Sequence, residues 1–468
     1  MSRMDDIEIS KAYDRAVNSS KLPHTFRALR HRNFRLFFAG QFVSLTGTWM
    51  QSVAQSWLVY RMTGSVVLLG LIGFASQIPV FIFTPIGGAT ADRHNRLRIL
   101  LLTQSAAMLL AFILAFLTLT DRVQIWHLFV IAVGFGIANA FDIPTRQAFA
   151  VDMVGKEDLI NAIALNSSMF NGARIVGPAI AGILVAAVGE GWCFFGNAVS
   201  YIAVLSSLLL MKISPVVRPR AGSTISQIAE GFAYVIKTKP VLALLLLLGL
   251  VSLMGMPYAV LMPIFADQIL GGGSSTLGFL MGASGTGALI AALALASRRN
   301  VFGLGKWVVF ACAGFGVSII LFSLSRDFWL SAALLVPAGF AMMTQMSSSN
   351  TLIQAMIPDD LRGRVMSVYS MMFMGMAPLG ALLAGTLAGY IGAPQTVALG
   401  GLVCVIAAIV FRFTTVGLRD EARAMIVSMQ MTGGEPASKA FAQHPIDSPE
   451  SSNTDQLSSG SSPSSDII

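Results

Sequence analysis

The sequence contains few charged residues for its length. Asp, Glu, Lys and Arg make up 12% of the 468 residues, whereas hydrophobic residues make up 55% and the mean hydropathy is +0.71. A soluble domain carries about twice this share of charge. The composition therefore excludes a soluble globular protein of this size and predicts an all-α membrane protein with many spans.

Cysteine and histidine are also scarce. The three cysteines lie inside apolar runs without C-x-x-C spacing, which argues against disulfides and a thiolate metal site. The five histidines are not spaced as metal ligands, and the sequence has no G-x-x-x-x-G-K-[ST] loop. We therefore expect no metal, no cofactor, no enzyme activity and no ATP-driven transport by this chain alone.

Long apolar runs take up most of the sequence. Windows of about 20 apolar residues, bounded by charges or turn residues, predict twelve transmembrane helices. They cover residues 34–60, 65–90, 99–119, 124–143, 161–187, 192–211, 240–265, 274–296, 306–324, 328–349, 365–391 and 394–416. An even number of spans places both termini on one side of the lipid bilayer.

The net charge of +8 is unevenly distributed along the chain. Basic residues concentrate in the alternate connections, which the positive-inside rule assigns to the cytoplasm. The charge is therefore topological, so we expect no nucleic-acid partner and two cytoplasmic termini. The basic residues on this face are Arg27, Arg30, Arg32, Arg35, the turn 93–98, Lys212, Arg218, Arg220, Lys237, Lys239, Arg298, Arg299, Lys306, Arg362 and Arg364.

A drop in apolarity near the middle divides the chain into two halves that resemble each other. Residues 90–95 match residues 295–300, and Gly134-Phe135 matches Gly339-Phe340 at the same offset. This pattern predicts two six-helix repeats. The predicted divisions are a cytoplasmic arm 1–33, a bundle 34–212, a cytoplasmic linker with an interfacial helix 213–239, a bundle 240–416 and a disordered cytoplasmic tail 417–468.

A dense charged turn separates the second and third predicted spans. It reads Gly88-Ala-Thr-Ala-Asp92-Arg93-His-Asn95-Arg96-Leu-Arg98, and such charges must be in water. Its spacing resembles the G-x-x-x-D-[RK]-x-G-[RK]-[RK] signature of the major facilitator superfamily, which lies on the cytoplasmic face in that family. The resemblance implies a gate motif formed by Gly88, Asp92, Arg93 and Arg96.

Individual positions of this turn allow other interpretations. Arg96 and Arg98, taken alone, indicate an ordinary positive-inside loop. Asn95 replaces the second glycine of the signature, and we expect it to adopt a positive φ there.

Asp92 is the residue that we expect to close the gate. Its carboxylate should accept hydrogen bonds from backbone N–H groups at the start of the eleventh span, near residues 361–365. Arg93 should pair with Asp359 or Asp360 when the gate closes.

The fifth predicted span carries a second motif, Ala173-Arg174-Ile-Val-Gly177-Pro178-Ala-Ile-Ala181-Gly182. It is similar to the G-x-x-x-G-P-x-x-G-G signature of superfamily exporters. Small residues allow a close helix crossing, and a proline inside a helix bends it. The alternative is a kinked packing helix, as in any membrane protein. The resemblance implies an export motif that includes Arg174, Gly177, Pro178 and Gly182.

Arg174 lies about 20 Å along its helix from Asn161, near the middle of the bilayer. A charge at this depth requires a wet cavity or a partner. The candidate partners are Asp142, Asn139 or a substrate anion. The alternative is an arginine bound to backbone carbonyls beside Pro178.

Polar side chains and methionines in four of the spans are candidates for a substrate cavity. Amides inside a span line a cavity or form interhelical hydrogen bonds, and methionine fills either a pocket for varied ligands or ordinary packing gaps. The candidates are Gln41, Gln51, Gln55, Asn139, Asp142, Met346 and Met372.

Four segments, 142–144, 158–162, 177–178 and 360–367, resemble the branch of the superfamily that contains enterobactin exporters and macrolide-efflux proteins. The resemblance covers residues 34–416. It implies a monomeric proton-driven antiporter of a bacterial inner membrane that exports an amphipathic small molecule by alternating access. A nutrient symporter is the alternative, followed by a channel or receptor.

Overall fold

A computed structural model describes residues 24–155, 157–212, 224–296, 303–414, 422 and 424–426. The described part is helical, and no strand occurs in it. Most of the predicted arm and nearly all of the predicted tail lie outside the described residues. Part of the predicted linker, residues 213–223, also lies outside them.

Twelve long helices follow one another along the described chain, and a linker helix lies between the sixth and the seventh. They are α1 Arg32–Thr63, α2 Val66–Arg93, α3 Arg96–Leu119, α4 Ile125–Val154, α5 Leu159–Val188, α6 Glu190–Leu209, α7 Lys239–Ile269, α8 Gly273–Ala296, α9 Leu304–Leu324, α10 Phe328–Met356, α11 Asp359–Ile391 and α12 Ala393–Thr414, with the linker helix at Thr224–Lys237.

Eleven of these helices, α2 to α12, are long and apolar enough to cross a membrane. Helix α1 has 32 residues but is less apolar, because it carries the amides of Gln41, Gln51 and Gln55. Gln41 and Gln51 are buried against neighbouring helices rather than exposed. The twelve predicted spans thus correspond to twelve helices, of which α1 is the polar exception.

The turn between α1 and α2 shows how the sequence ends and starts a helix. Gly64 adopts a left-handed conformation with φ of 61°, and its N–H donates to the carbonyl of Tyr60. Ser65 then caps α2 by accepting a hydrogen bond from the N–H of Leu68. Glycine tolerates the positive φ, and serine satisfies a free N–H group, so two adjacent residues reverse the chain.

Helix α7 is irregular where the sequence predicts a single span. Two π-helical segments, Val251–Gly255 and Phe265–Ile269, flank a short α-helical segment. Pro257 and Pro263 lie between or beside them, and proline removes a backbone hydrogen bond from a helix. The prolines and the wider turns together account for the broken regularity of this helix.

The helices pack as two halves, α1–α6 and α7–α12. The halves meet mainly where α2 contacts α11 and where α5 contacts α8. Glycines allow both contacts: a Cβ added to Gly70 would lie 2.6 Å from the carbonyl oxygen of Ala381, and one added to Gly278 would lie 2.7 Å from Cα of Gly182. Backbones approach this closely only when side chains are absent.

The two ends of the bundle differ in how the halves are joined. We call the end with the α2–α3 turn and the linker helix the linker end, and the opposite end the far end. At the far end Tyr60 Oη donates to a carboxylate oxygen of Asp267 at 2.7 Å, and Ser275 Oγ donates to the carbonyl of Gly182 at 3.4 Å. At the linker end, no hydrogen bond joins the halves among the described residues.

The linker helix packs on the second half. Arg364 of α11 forms an ion pair with Glu230, and Tyr234 Oη donates to the carbonyl of Met356 at 3.3 Å. Val235 is buried in this contact, whereas Ile236 is 64% exposed. The linker helix is therefore partly a packing element of the second half, which the amphipathic pattern alone does not indicate.

Candidate transport site

Arg96 is the most highly connected residue of the charged turn. Its guanidinium donates to the carbonyls of Ala91 and Ala148, and it pairs with Asp152 at 3.2 Å and with Asp92 at 3.4 Å. It is only 8% exposed. Arg96 is therefore buried and paired rather than an exposed loop charge, because the long α4 extends to Asp152 and supplies partners, while its role in a gate stays a prediction.

The other members of the gate motif are in different environments. Asp92 is exposed and pairs with Arg96, and Arg93 is exposed. No hydrogen bond connects Asp92 to residues 361–365 of α11 among the described contacts. The Asp92 latch therefore stays a prediction for a state closed at the linker end. The side chains of Asp359 and Asp360 lie outside the described residues, so the predicted pairing with Arg93 stays untested.

The close helix approach in this region occurs at Gly87 rather than at Gly88. A Cβ added to Gly87 would lie 2.2 Å from the carbonyl oxygen of Ala140 in α4, whereas one added to Gly88 would lie 4.0 Å from Pro144. Asn95 has φ of −67° and caps α3 by accepting a hydrogen bond from the N–H of Arg98. The positive φ predicted for Asn95 is therefore wrong, because the residue serves as an N-cap.

Arg174 lies where the two halves meet. Its guanidinium carbon lies 5.7 Å from the centre of the Trp49 ring, and its backbone carbonyl faces Gly285 of α8. No carboxylate lies within ion-pair distance of Arg174 among the described residues. The indole ring of Trp49 therefore provides an electron-rich surface for this cation.

The two candidate partners of Arg174 are located elsewhere. Asp142 pairs with Arg146 at 3.4 Å instead, and Asn139 lines the same small pocket as Asp142. Asp142 is therefore not the partner of Arg174 in this structure, because an arginine one helical turn further along α4 is nearer to the carboxylate.

The small residues of the export motif contact two different helices. A Cβ added to Gly177 would lie 2.5 Å from Cβ of Trp49 in α1, and one added to Gly182 would lie 3.0 Å from Cα of Gly278 in α8. The carbonyl of Pro178 also faces Gly278. Close crossing follows from the sequence, but the two partners, one in each half, are visible only in the structure.

A small polar pocket lies inside the first half. It brings together Gln41, Asn139 and Asp142 from the predicted cavity set, and Asp142 is 4% exposed. Thr103 Oγ1 and Gln104 Nε2 donate to Asp142 Oδ1 at 3.2 and 2.7 Å. The complete lining is Gln41, Ser44, Leu45, Thr48, Thr103, Gln104, Ala107, Ala138, Asn139, Asp142, Arg146 and Tyr201.

The other predicted cavity residues do not line this pocket. Gln51 Oε1 accepts a hydrogen bond from Asn197 Nδ2 at 2.6 Å, so its amide links α1 to α6, and Gln55 is half-buried in α1. Met372 packs against Gly249 of α7. The carbonyl of Met346 accepts a hydrogen bond from Tyr369 Oη at 3.2 Å.

Nine of the twelve lining residues were absent from the predicted set, and Gln104 and Tyr201 are two of them. Both are buried, with 6% and 5% of their surfaces exposed. An amide inside the largely apolar α3 is the signal that identifies Gln104, since it requires a polar partner on a neighbouring helix. Nothing in the sequence around Tyr201 distinguishes it from a packing residue.

Comparison with known proteins places the chain in a family. A family model described as transmembrane secretion effector matches residues 24–443. The staphyloferrin A transporter of Staphylococcus aureus is 27% identical over 81% of this chain and 95% of that protein. The enterobactin exporter EntS of Escherichia coli is 25% identical over 76% of this chain and 85% of that protein.

Solved structures agree on the fold. The nucleoside transporter NupG superposes with a TM-score of 0.64 at 14% identity, covering 81% of this chain and 97% of that one. A bacterial homologue of the iron transporter ferroportin, in an inward-facing state, superposes with a TM-score of 0.61 at 16% identity, covering 81% and 98%. The chain belongs to the transmembrane secretion effector family of the major facilitator superfamily, and it is a multi-pass membrane transporter rather than an enzyme.

Proposed function

We propose that this transporter exports an anionic, amphipathic small molecule of the siderophore class from a bacterial cytoplasm, driven by the proton gradient. The staphyloferrin A transporter and EntS, two relatives over most of the chain, are named for siderophores. The observation that carries the proposal is Arg174, a cation between the two halves without a carboxylate partner among the described residues.

The surroundings of Arg174 suit such a substrate. Trp49 lies beside the guanidinium, and Phe170 packs edge-on against Trp49 with ring centres 5.6 Å apart. A cation next to aromatic rings binds a ligand that carries both a negative charge and an apolar or aromatic body. Because Arg174 also contacts α8 through its backbone, a ligand bound here is in reach of both halves.

The arrangement of the halves supports alternating access. The far end is closed by α2–α11 and α5–α8 contacts and by the Tyr60–Asp267 hydrogen bond. The linker end carries the basic connections, which the positive-inside rule assigns to the cytoplasm. We therefore propose an inward-facing state, a monomer in the bacterial inner membrane, and cytoplasmic termini.

Transport assays in vesicles test this proposal. Inside-out vesicles should accumulate enterobactin or staphyloferrin A when a proton gradient is imposed, and counterflow should occur without one. Arg174→Ala should abolish this transport and Arg174→Lys should retain part of it, while Arg122→Ala, in an exposed far-end turn, should leave it unchanged.

Three results would contradict the proposal. Uptake only into right-side-out vesicles would favour the nutrient symporter. Flux without counterflow would favour a channel. Full transport by Arg174→Ala, with normal insertion into the membrane, would exclude the proposed role of the arginine.

A further inference from the structure

The pocket inside the first half contains a buried carboxylate with an unusual set of partners. Asp142 Oδ1 accepts hydrogen bonds from Gln104 and Thr103, and Asp142 Oδ2 lies 3.4 Å from one guanidinium nitrogen of Arg146. The contact with Arg146 is therefore longer than the usual charge-assisted hydrogen bond. Such a pair holds the charged carboxylate without locking it in place.

Only one of the two polar atoms of the Gln104 amide forms a hydrogen bond. Its Nε2 donates to Asp142, but its Oε1 is buried without a hydrogen-bond partner. A buried acceptor without a donor costs about 1 to 3 kcal/mol. Rotation of the amide by half a turn would place Oε1 against Asp142, where it would accept a hydrogen bond if the carboxyl carried a proton.

The Gln104 amide can thus form a hydrogen bond with Asp142 in both of its protonation states. When Asp142 is charged, the amide nitrogen donates to it and Arg146 balances the charge. When Asp142 is neutral, its O–H donates to the amide oxygen, and the guanidinium of Arg146 is released towards the pocket. The proton adds to a carboxylate oxygen, and no other covalent bond changes.

The second half shows that the fold does not require this charged pair. At the offset that aligns Gly134-Phe135 with Gly339-Phe340, Ser347 and Thr351 occupy the positions of Asp142 and Arg146. No charged residue occurs in α10 from Phe328 to its end at Met356. The corresponding helix therefore packs in its own half without an ion pair.

From these observations we infer that Asp142 is the residue that binds the coupling proton, with Gln104 and Arg146 as its positioning residues. The inference rests on the proposed proton-driven transport and names its site. The pocket is formed by α1, α3, α4 and α6. Besides Asp142, the titratable groups among its lining residues are Arg146 of α4 and Tyr201 of α6, whereas α1 and α3 contribute only amides, hydroxyls and apolar groups.

Infrared difference spectroscopy of the purified full-length protein tests this site without any substrate. Lowering the pH should produce the C=O stretching band of a protonated carboxyl that Asp142→Asn lacks and Asp327→Asn keeps. Asp327 is a matched control because it is an exposed N-cap of α10, and asparagine also caps helices. A titrating band that is unchanged in Asp142→Asn would overturn the inference.

A second variant covers the case in which Asp142→Asn does not fold. Arg146→Gln removes the positive charge beside the charged carboxylate, so the carboxyl band of Asp142 should differ from that of the wild type. A carboxyl band that is the same in Arg146→Gln as in the wild type would also overturn the inference.

Proteoliposomes then separate coupling from binding. Asp142→Asn should keep enterobactin counterflow but lose accumulation driven by the proton gradient, and Asp142→Glu should restore part of it. Retained gradient-driven accumulation in Asp142→Asn would overturn the inference. If the wild-type protein does not transport enterobactin, this assay counts against that substrate, while the infrared result still decides the proton site.

Discussion

Asp158 lies at the linker end of α5, and 2% of its side chain is exposed. Three basic residues that precede α1 surround its carboxylate. His31 Nε2 lies 2.8 Å and a guanidinium nitrogen of Arg30 lies 2.9 Å from its carboxylate, with Arg27 at 3.6 Å. Burial alone would raise the pKa of Asp158, but the His31 hydrogen bond and the charges of Arg30 and Arg27 outweigh it and hold the pKa below its usual value.

The sign of the pH effect follows from this lowered pKa. Because the folded pKa lies below that of the unfolded chain, the contact stabilises the folded protein at neutral pH. The contribution is lost as the pH falls through the folded pKa.

Asp158→Asn should therefore lower the free energy of unfolding by about 1 to 3 kcal/mol at neutral pH, since a buried set of charge-assisted hydrogen bonds is lost. Thermal unfolding in detergent, followed by fluorescence, measures the effect. The difference from the wild type should shrink below about pH 4. Glu157→Gln, at the exposed neighbouring position, should have little effect, and an equal effect of both changes would refute this account.

At the scale of helices, the α2–α11 contact depends on glycine. A Cβ added to Gly70 would lie 2.6 Å from the carbonyl oxygen of Ala381 and 2.9 Å from Cα of Gly385. Both obstacles are backbone atoms, which cannot rotate away as a side chain can. The contact therefore tolerates no side chain while the far end is closed.

Gly70→Val should consequently shift the population towards a state in which the far end is open. Distances between spin labels placed on the far-end turns of the two halves measure the shift. Gly305→Ala is the control, because no atom lies within 4 Å of its added Cβ. An unchanged distance distribution in Gly70→Val, with intact folding, would show that the contact is looser than described.

The helices themselves could be predicted from apolar runs, but their ends could not. Helix α4 extends to Val154 and α10 to Met356, beyond the predicted ends at residues 143 and 349. A fall in apolarity marks where a helix leaves the membrane, not where its backbone hydrogen bonds stop. The extra turns of α4 carry Asp152, which is why the burial of Arg96 could not be predicted.

The sequence predicted which residue types form the candidate site, but it did not predict which of these residues contact one another. Asn139 and Asp142 were recognised as polar residues inside a span, and the structure places both in one pocket. Their partner Gln104 depends on how α3 is rotated about its own axis, which the weak amphipathicity of an almost wholly apolar helix does not define. Arg174 was recognised as deep, but its neighbour Trp49 follows from the α1–α5 crossing.

At the scale of the whole molecule, the two ends should carry opposing latches. Tyr60 holds the far end through Asp267, while Asp92 is predicted to hold the linker end when that end closes. Tyr60→Phe should favour opening of the far end by about 2- to 10-fold, the value of one hydrogen bond. Asp92→Asn should favour the state open at the linker end.

Labelling of single engineered cysteines at each end measures both changes, and the three native cysteines are buried. Thr63→Val is a control for Tyr60→Phe, since the Thr63 hydroxyl bonds only within α1 and its turn. Shifts of the two variants in the same direction, or unchanged labelling in either, would contradict the opposing latches.

The attachment of the linker helix to α11 has a mechanical consequence. Because Glu230 and Tyr234 are bound to the second half, this helix should travel with that half as a single body. The covalent tether that remains between the bodies is then residues 213–223, eleven residues whose greatest reach is about 40 Å. Shortening this tether should therefore restrict how far the halves rotate apart, whereas lengthening it should leave the rotation unchanged.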